Sequence, residues 1–159
     1  MRATSGANGD RWVSRLGYLL LTALALWLAL YLWVSRTWRM TLDAPLMVYV
    51  AFLYDRFGLV PYKDVLTMSY PGTHIFHLLV GRALGWGDAG FRLALWGLLA
   101  AQGAATWAAM RRFGPRVAAG ATLIFSLVLL HGGPAMGLQR EAVALLPLTL
   151  ALATTVAGE

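Results

Sequence analysis

The chain contains no cysteine. That excludes a disulfide framework, a thiolate nucleophile, a zinc–thiolate site and an iron–sulfur cluster, and it leaves the redox compartment unreadable from sequence. Charge is scarce as well. Only 13% of the 159 residues are charged against 59% hydrophobic, and the mean hydropathy is +0.64, a balance that excludes an ordinary water-soluble domain. Lysine is represented by Lys63 alone, so the net charge of +6 comes from arginines scattered between apolar runs. They form no basic stripe of the kind that tracks a phosphate backbone, so nucleic acid is not an expected partner. Membrane topology accounts for the arginines better, with membrane lipids as the surroundings.

What the sequence has in quantity is apolar runs. Residues 16–34, between Arg15 and Arg36, carry no charge and are long enough to cross a hydrocarbon core of about 30 Å. The run exceeds a signal-peptide core of about 7–15 residues and no A-x-A site follows, so it is expected to remain as an anchor. Further spans are expected at 91–110, 117–131 and 142–157, the last with Pro147 as a kink point. The basic knot Arg111-Arg112-Phe113-Gly114-Pro115-Arg116 reads as a cytoplasmic hairpin, because Gly-Pro ends one helix and starts another and arginine favours the inside. The expected fold class is therefore all-α. A cytoplasmic tail of residues 1–15 precedes a transmembrane domain of residues 16–159, with four spans, the N-terminus inside and an external loop of residues 35–90.

That external loop is too apolar for a free loop and too broken for a span. It predicts two juxtamembrane helices. Asp43 is expected to cap the first, with Pro45 in its opening turn and Gly58 ending it in a left-handed conformation; Pro71-Gly72 opens the second. Tyr, Trp and Arg flank both, as interfacial anchors do.

Several patterns invite stronger readings. Gly85-Trp86-Gly87-Asp88-Ala89-Gly90 matches G-x-G-x-x-G, but no strand precedes it, and a linker with Asp88 capping the next span is the plainer account. Gly81-Arg82-Ala83-Leu84-Gly85 matches the small-residue helix-packing spacing, yet Arg82 argues against a lipid-buried seam. His74 and His77 share a helix face and offer two metal ligands without a carboxylate beside them. Asp43 and Glu141 fall on one predicted membrane face. Each is either a helix-terminal acid or half of a site.

The order Asp43-Ala44-Pro45…Tyr49, Gly58-Leu59-Val60-Pro61-Tyr62-Lys63-Asp64, Ser69-Tyr70-Pro71-Gly72-Thr73, Gly85…Phe91-Arg92-Leu93 resembles the N-terminal part of GT-C membrane glycosyltransferases. It is most similar to the bacterial branch related to dolichyl-phosphate-mannose mannosyltransferases and the aminoarabinose and galacturonic-acid transferases. The resemblance implies a multi-pass protein of the bacterial inner membrane that takes a sugar from a polyprenyl-phosphate donor to an envelope acceptor at the outer face. It places Asp43 at the family's first-loop acid, the acceptor-activating position, and Glu141 in its second outer loop. The sequence departs from the family at Asp43-Ala44, where Asp-Glu is frequent, and at Ser69-Tyr70-Pro71-Gly72, where Lys-Pro-Pro is frequent. The second departure removes a cation expected near a phosphate.

The residue types suit the chemistry. Asp43 is the candidate base for the acceptor hydroxyl, with inversion at the anomeric carbon, and Glu141 the second catalytic acid. Arg140 and Lys63 are candidate phosphate partners. Tyr49, Tyr62 and His74 complete the expected substrate-binding set along the juxtamembrane helices. No cofactor is assigned, and a divalent metal bridged by Asp43 and Glu141 stays open. Because the family's members are several times longer, the chain is expected to be the front portion of an enzyme and to turn over little by itself. The competing class is a non-enzymatic polytopic membrane protein: a scaffold, a lipid-binding module or a transporter component. Charges at span ends and the lack of an internal repeat lower the transporter version.

Overall fold

The computed structural model describes residues 5–157, with side chains from Trp12 to Thr155. These residues form six α-helices: α1 (Ser5–Ser35), α2 (Ala44–Phe57), α3 (Pro71–Leu84), α4 (Asp88–Met110), α5 (Pro115–His131) and α6 (Arg140–Ala157). Short 3-10 turns at Arg111–Phe113 and Gly133–Ala135 lead out of α4 and α5. No strand occurs among the described residues, only an isolated bridge between Pro61 and Val65. The described residues are all-α, as the apolar runs lead one to expect.

The helix boundaries follow local chemistry. No proline interrupts Ser5–Ser35, and α1 begins at Ser5, eleven residues before the apolar run that predicts it. Gly58 ends α2 at φ 68°, a left-handed conformation that costs a residue without Cβ little, and its N–H bonds the Tyr54 carbonyl. Pro45, Pro71 and Pro115 each lie in the first turn of their helix, where the missing N–H would have no intrahelical partner.

Two expected caps are corrected. Asp43 precedes α2 with helical backbone angles and makes no side-chain cap bond. Pro45 removes one of the two N–H groups that such a cap serves, so the carboxylate is released from that role. Asp88 is not the cap of α4 either; Gly87 holds that position, and Asp88 Oδ1 accepts the Met40 N–H at 3.0 Å. The acid thus ties the start of α4 to the segment leaving α1.

Two helical segments are long and apolar enough to cross a membrane, Trp12–Ser35 and Asp88–Phe113. Pro115–His131 is apolar but only 17 residues long, about 26 Å of rise. Helix α6 has 18 residues with Pro147 inside. Length and composition therefore support two of the four expected spans directly.

Helix α1 packs along α5, α5 along α4, and α4 along α6, while the α2–α3 hairpin leans through α3 on α4 and α6. The core lies where these meet: Phe91, Ala94, Leu95, Leu98 and Leu99 of α4, Leu130 of α5, Ala44 of α2 and Leu138 before α6. Polar bonds cross the same contacts. Gln102 Nε2 donates to Thr149 Oγ1 at 2.5 Å between α4 and α6, and Trp96 Nε1 donates to Ser35 Oγ at 2.9 Å between α4 and α1.

The glycine-rich link between α3 and α4 has a packing explanation. A Cβ on Gly90 would overlap the Gly85 carbonyl oxygen, and one on Gly81 would overlap the Trp86 ring. The nucleotide-like spacing is a tight turn without a preceding strand, and the small-residue pair seats an aromatic ring of the same chain.

Candidate functional site

Four of the described polar residues converge where α2, α3 and α6 begin. Arg140 opens α6, and its Nε donates to Glu141 Oε1 at 2.7 Å. That hydrogen bond, followed by the charge of Glu141, raises the Arg140 pKa, and Tyr70 and Asp43 add to it electrostatically. Glu141 is held below the usual carboxylate range, first by the bond from Arg140 and then by its own backbone N–H. Asp43, nearly a hundred residues earlier in the chain, thus lies within electrostatic reach of Arg140.

The two acids differ in what they can do. Glu141 already accepts from a guanidinium at Oε1, and its charge is stabilised. Asp43 is exposed and accepts no hydrogen bond from the described residues. A carboxylate in that state can take a proton from an incoming hydroxyl; one locked on arginine is a poorer base. Arg140 thus interacts with both acids, through a hydrogen bond with Glu141 and only through space with Asp43.

Beside this cluster runs a cleft of about 400 Å³. Tyr70, Thr73 and Phe76 line one wall, Val143 and Leu146 the other, and Arg140 is part of the lining. An apolar trough with a cation in its lining matches an amphiphile with an anionic head.

A second cleft of about 310 Å³ lies on the other face of α3, lined by Tyr54, Tyr62, Pro71, His74 and Leu78 among others. Tyr62 and His74 meet edge-on with ring centroids 5.8 Å apart. His74 Nε2 lies 3.0 Å from Thr67 Oγ1, and the Tyr62 hydroxyl donates to the Ser69 carbonyl. Tyr62 and His74 are thus brought together, but across α3 from the Arg140 cleft. Lys63 is exposed in the Val60–Val65 turn, where Asp64 Oδ2 accepts the Val60 N–H at 2.9 Å. Lys63 is not among the groups acting on Arg140. Tyr49 is exposed on α2 and lines neither cleft.

The histidine pair does not gather a metal site. Burial pushes His74 down, and it pushes His77 to about 4, with the Leu138 backbone opposing the fall and His74 adding to it. Neither His77 nitrogen has a hydrogen-bond partner of normal geometry. Among the described residues no three His, Asp or Glu side chains lie together as a metal would need, and the Arg140 bond to Glu141 competes with any bridging ion there.

Sequence reasoning missed Tyr70, Thr73 and Phe76 as lining residues, although Tyr70 stands directly before the Pro71 that opens α3. It also missed the backbone. Among the described residues the non-glycine positions with positive φ are Leu42 (53°), Tyr62 (68°) and Leu138 (55°). They stand beside Asp43, beside Lys63 and two residues before Arg140. Left-handed backbone costs such residues about 1 kcal/mol or more and concentrates at functional loops.

No family model matched this chain, and neither did any curated protein or solved structure.

Proposed function

We propose that this chain carries the candidate site of a GT-C-like membrane glycosyltransferase that transfers a sugar from a polyprenyl-phosphate donor at the outer membrane face. The observation that supports it most is the pairing of an unengaged carboxylate, Asp43, with Arg140 beside an apolar cleft. In this reading Asp43 takes the proton of the acceptor hydroxyl as its oxygen attacks the anomeric carbon. The carbon–oxygen bond to the phosphate breaks, configuration inverts, and Arg140 stabilises the departing phosphate. Glu141 is then a positioning residue that aims the Arg140 guanidinium. Tyr70, Phe76 and Leu146 would border the first part of the prenyl chain.

The reading requires four spans, with α1 and α4 joined by α5 and α6, and with the Arg111–Arg116 turn and the N-terminus in the cytoplasm. One feature supports it. No residue in the apolar window of α1 is fully buried within the chain, and a long apolar helix that leaves so much of its surface uncovered is at home in lipid. Helix α5 falls a few Å short of the hydrocarbon thickness, a mismatch that local thinning of the bilayer absorbs at modest cost.

The test uses the 159-residue chain in proteoliposomes with a radiolabelled polyprenyl-phosphate sugar. Binding is expected in the wild type and a loss of about tenfold or more in Arg140→Gln, as befits a charge-assisted contact. Asp43→Asn should retain binding and abolish whatever transfer the wild type shows. Undiminished transfer by Asp43→Asn would remove the base assignment. Solute movement without polyprenyl-phosphate binding would replace the enzyme reading with a transport one.

A further inference from the structure

The opposite end of the helix bundle carries a second built feature that the glycosyl-transfer reading does not use. Between α1 and the turn entering α5 lies a cleft of about 700 Å³ whose apolar wall comes from Leu21, Val117 and Ala119, with Phe113 at the turn. Arg116 and Tyr18 stand in the same lining. Arg116 Nη2 donates to the Tyr18 hydroxyl at 2.9 Å, and its guanidinium carbon lies 4.6 Å from the centre of the Tyr18 ring. The arginine is therefore held at the cleft by a hydrogen bond and a cation–π contact together, where a bare topological arginine would be free in solvent.

Among the described side chains, the charges at this end of the bundle are arginines. Arg111 and Arg112 sit in the adjoining 3-10 turn, and Arg15 lies one helical turn before Tyr18 on α1. The described carboxylates lie elsewhere: Asp88 starts α4, whose 23 residues separate it from the turn by about 34 Å of rise. Asp43 and Glu141 act on Arg140 at that far end, and Asp55 is bound to Arg82 of α3 at 2.6 Å. Asp64 caps its own loop by accepting the Val60 N–H. Arg116 itself forms no ion pair within the described residues; its partners there are the Tyr18 hydroxyl and ring. A guanidinium so placed keeps N–H donors for an anion, and the trough below it accepts a hydrocarbon chain.

We infer that the α1–α5 cleft is a binding site for one anionic phospholipid of the cytoplasmic leaflet, with its phosphate on Arg116 and an acyl chain along Leu21, Val117 and Ala119. Charge complementarity selects the occupant. A zwitterionic lipid fills the same trough but places a quaternary ammonium among arginines, and a free phosphate satisfies the guanidinium but leaves the trough empty. Basic pockets between membrane helices on the cytoplasmic side recognise anionic head groups by this combination. The site rests on the four-span topology proposed above, and on none of the transfer chemistry.

The experiment is native mass spectrometry of the full chain in mild detergent, titrated separately with phosphatidylglycerol and with phosphatidylcholine, and with inorganic phosphate added as competitor. One phosphatidylglycerol per chain is expected, bound about tenfold or more tighter than phosphatidylcholine and resistant to millimolar phosphate. Arg116→Gln should lose most of that preference. Tyr18→Phe, which keeps the ring and removes the hydroxyl that Arg116 bonds, should lose part of it. Arg36→Gln, at the other end of α1, should lose none, and helical circular dichroism identifies any variant that fails to fold. Equal affinity for the two lipids, or an Arg116→Gln profile identical to wild type, would overturn the inference. Displacement by inorganic phosphate alone would reduce the site to an anion contact and overturn it too. Because the chain has no cysteine, Phe113→Cys and Met136→Cys in proteoliposomes report topology separately. Labelling of both from one side refutes the four-span reading whatever the lipid preference.

Discussion

Acidification should loosen α3 through His77. The side chain is 1% exposed, and neither ring nitrogen has a hydrogen-bond partner of normal geometry. Burial, the dominant cause, lowers its pKa from 6.5 to about 4; the neighbouring His74 lowers it further and the Leu138 backbone raises it. The sign follows from which state binds more protons. Between about pH 6.5 and pH 4 the opened state holds a proton on His77 and the docked state does not, so docking weakens as pH falls. Above 6.5 the ring is neutral in both states and the contribution is flat. Between pH 7 and pH 4.5 the linkage is on the order of 2 kcal/mol, a few tens of fold in the opening equilibrium. Hydrogen exchange of the α3 amides, referenced to the middle of α4 at the same pH, measures it. His77→Leu fills a similar volume without a titrating group and should flatten the dependence, whereas His74→Gln should leave most of it. An α3 protection ratio constant from pH 7 to 4.5, or an unchanged slope in His77→Leu, would refute the argument.

Two further perturbations test the packing. Gly90→Ala drives a Cβ into the Gly85 carbonyl, a backbone atom with little freedom to retreat, whereas Gly81→Ala meets only the Trp86 side chain. The first should cost more than the second, both within about 1–3 kcal/mol, read as the order of midpoints in thermal aggregation. Thr149→Val removes the acceptor of Gln102 Nε2 and leaves a buried amide whose Oε1 is already without a partner. It should destabilise the α4–α6 contact by about 0.6–2 kcal/mol. Unfolding in mixed micelles by sodium dodecyl sulfate measures this, with Thr154→Val, on the exposed part of α6, as the near-silent comparison.

The legible parts of the structure were those governed by neighbours in sequence. Pro45, Pro71 and Pro115 start helices, Gly58 stops one, and the Arg111–Arg116 stretch makes the hairpin, because each acts through a dihedral or a missing N–H within one turn. Asp43 and Asp88 mark where that logic ended. Both occupy positions at which a short acid caps a helix, yet Pro45 removed one N–H that Asp43 would serve, and Met40, 48 residues away, took Asp88. Glu141 was legible as an acid at the start of α6, but its bond to Arg140 was not, since adjacent residues on a helix do not ordinarily face each other.

The sequence by itself therefore determined the composition of the problem: an all-helical chain without thiols, poor in acids, with runs long enough for lipid and acids kept out of those runs. Hydrophobicity and backbone chemistry are local, and they suffice for that. Only the tertiary structure decided that α3 separates two clefts, that Tyr62 and His74 face one while Tyr70 and Arg140 face the other, and that Asp43 comes within reach of Arg140 with its oxygens unengaged. It also decided that Arg116 is pinned on Tyr18 across 98 positions. These are contacts between elements far apart in the chain, set by how α1, α3, α4, α5 and α6 pack, and no spacing within a single segment encodes them.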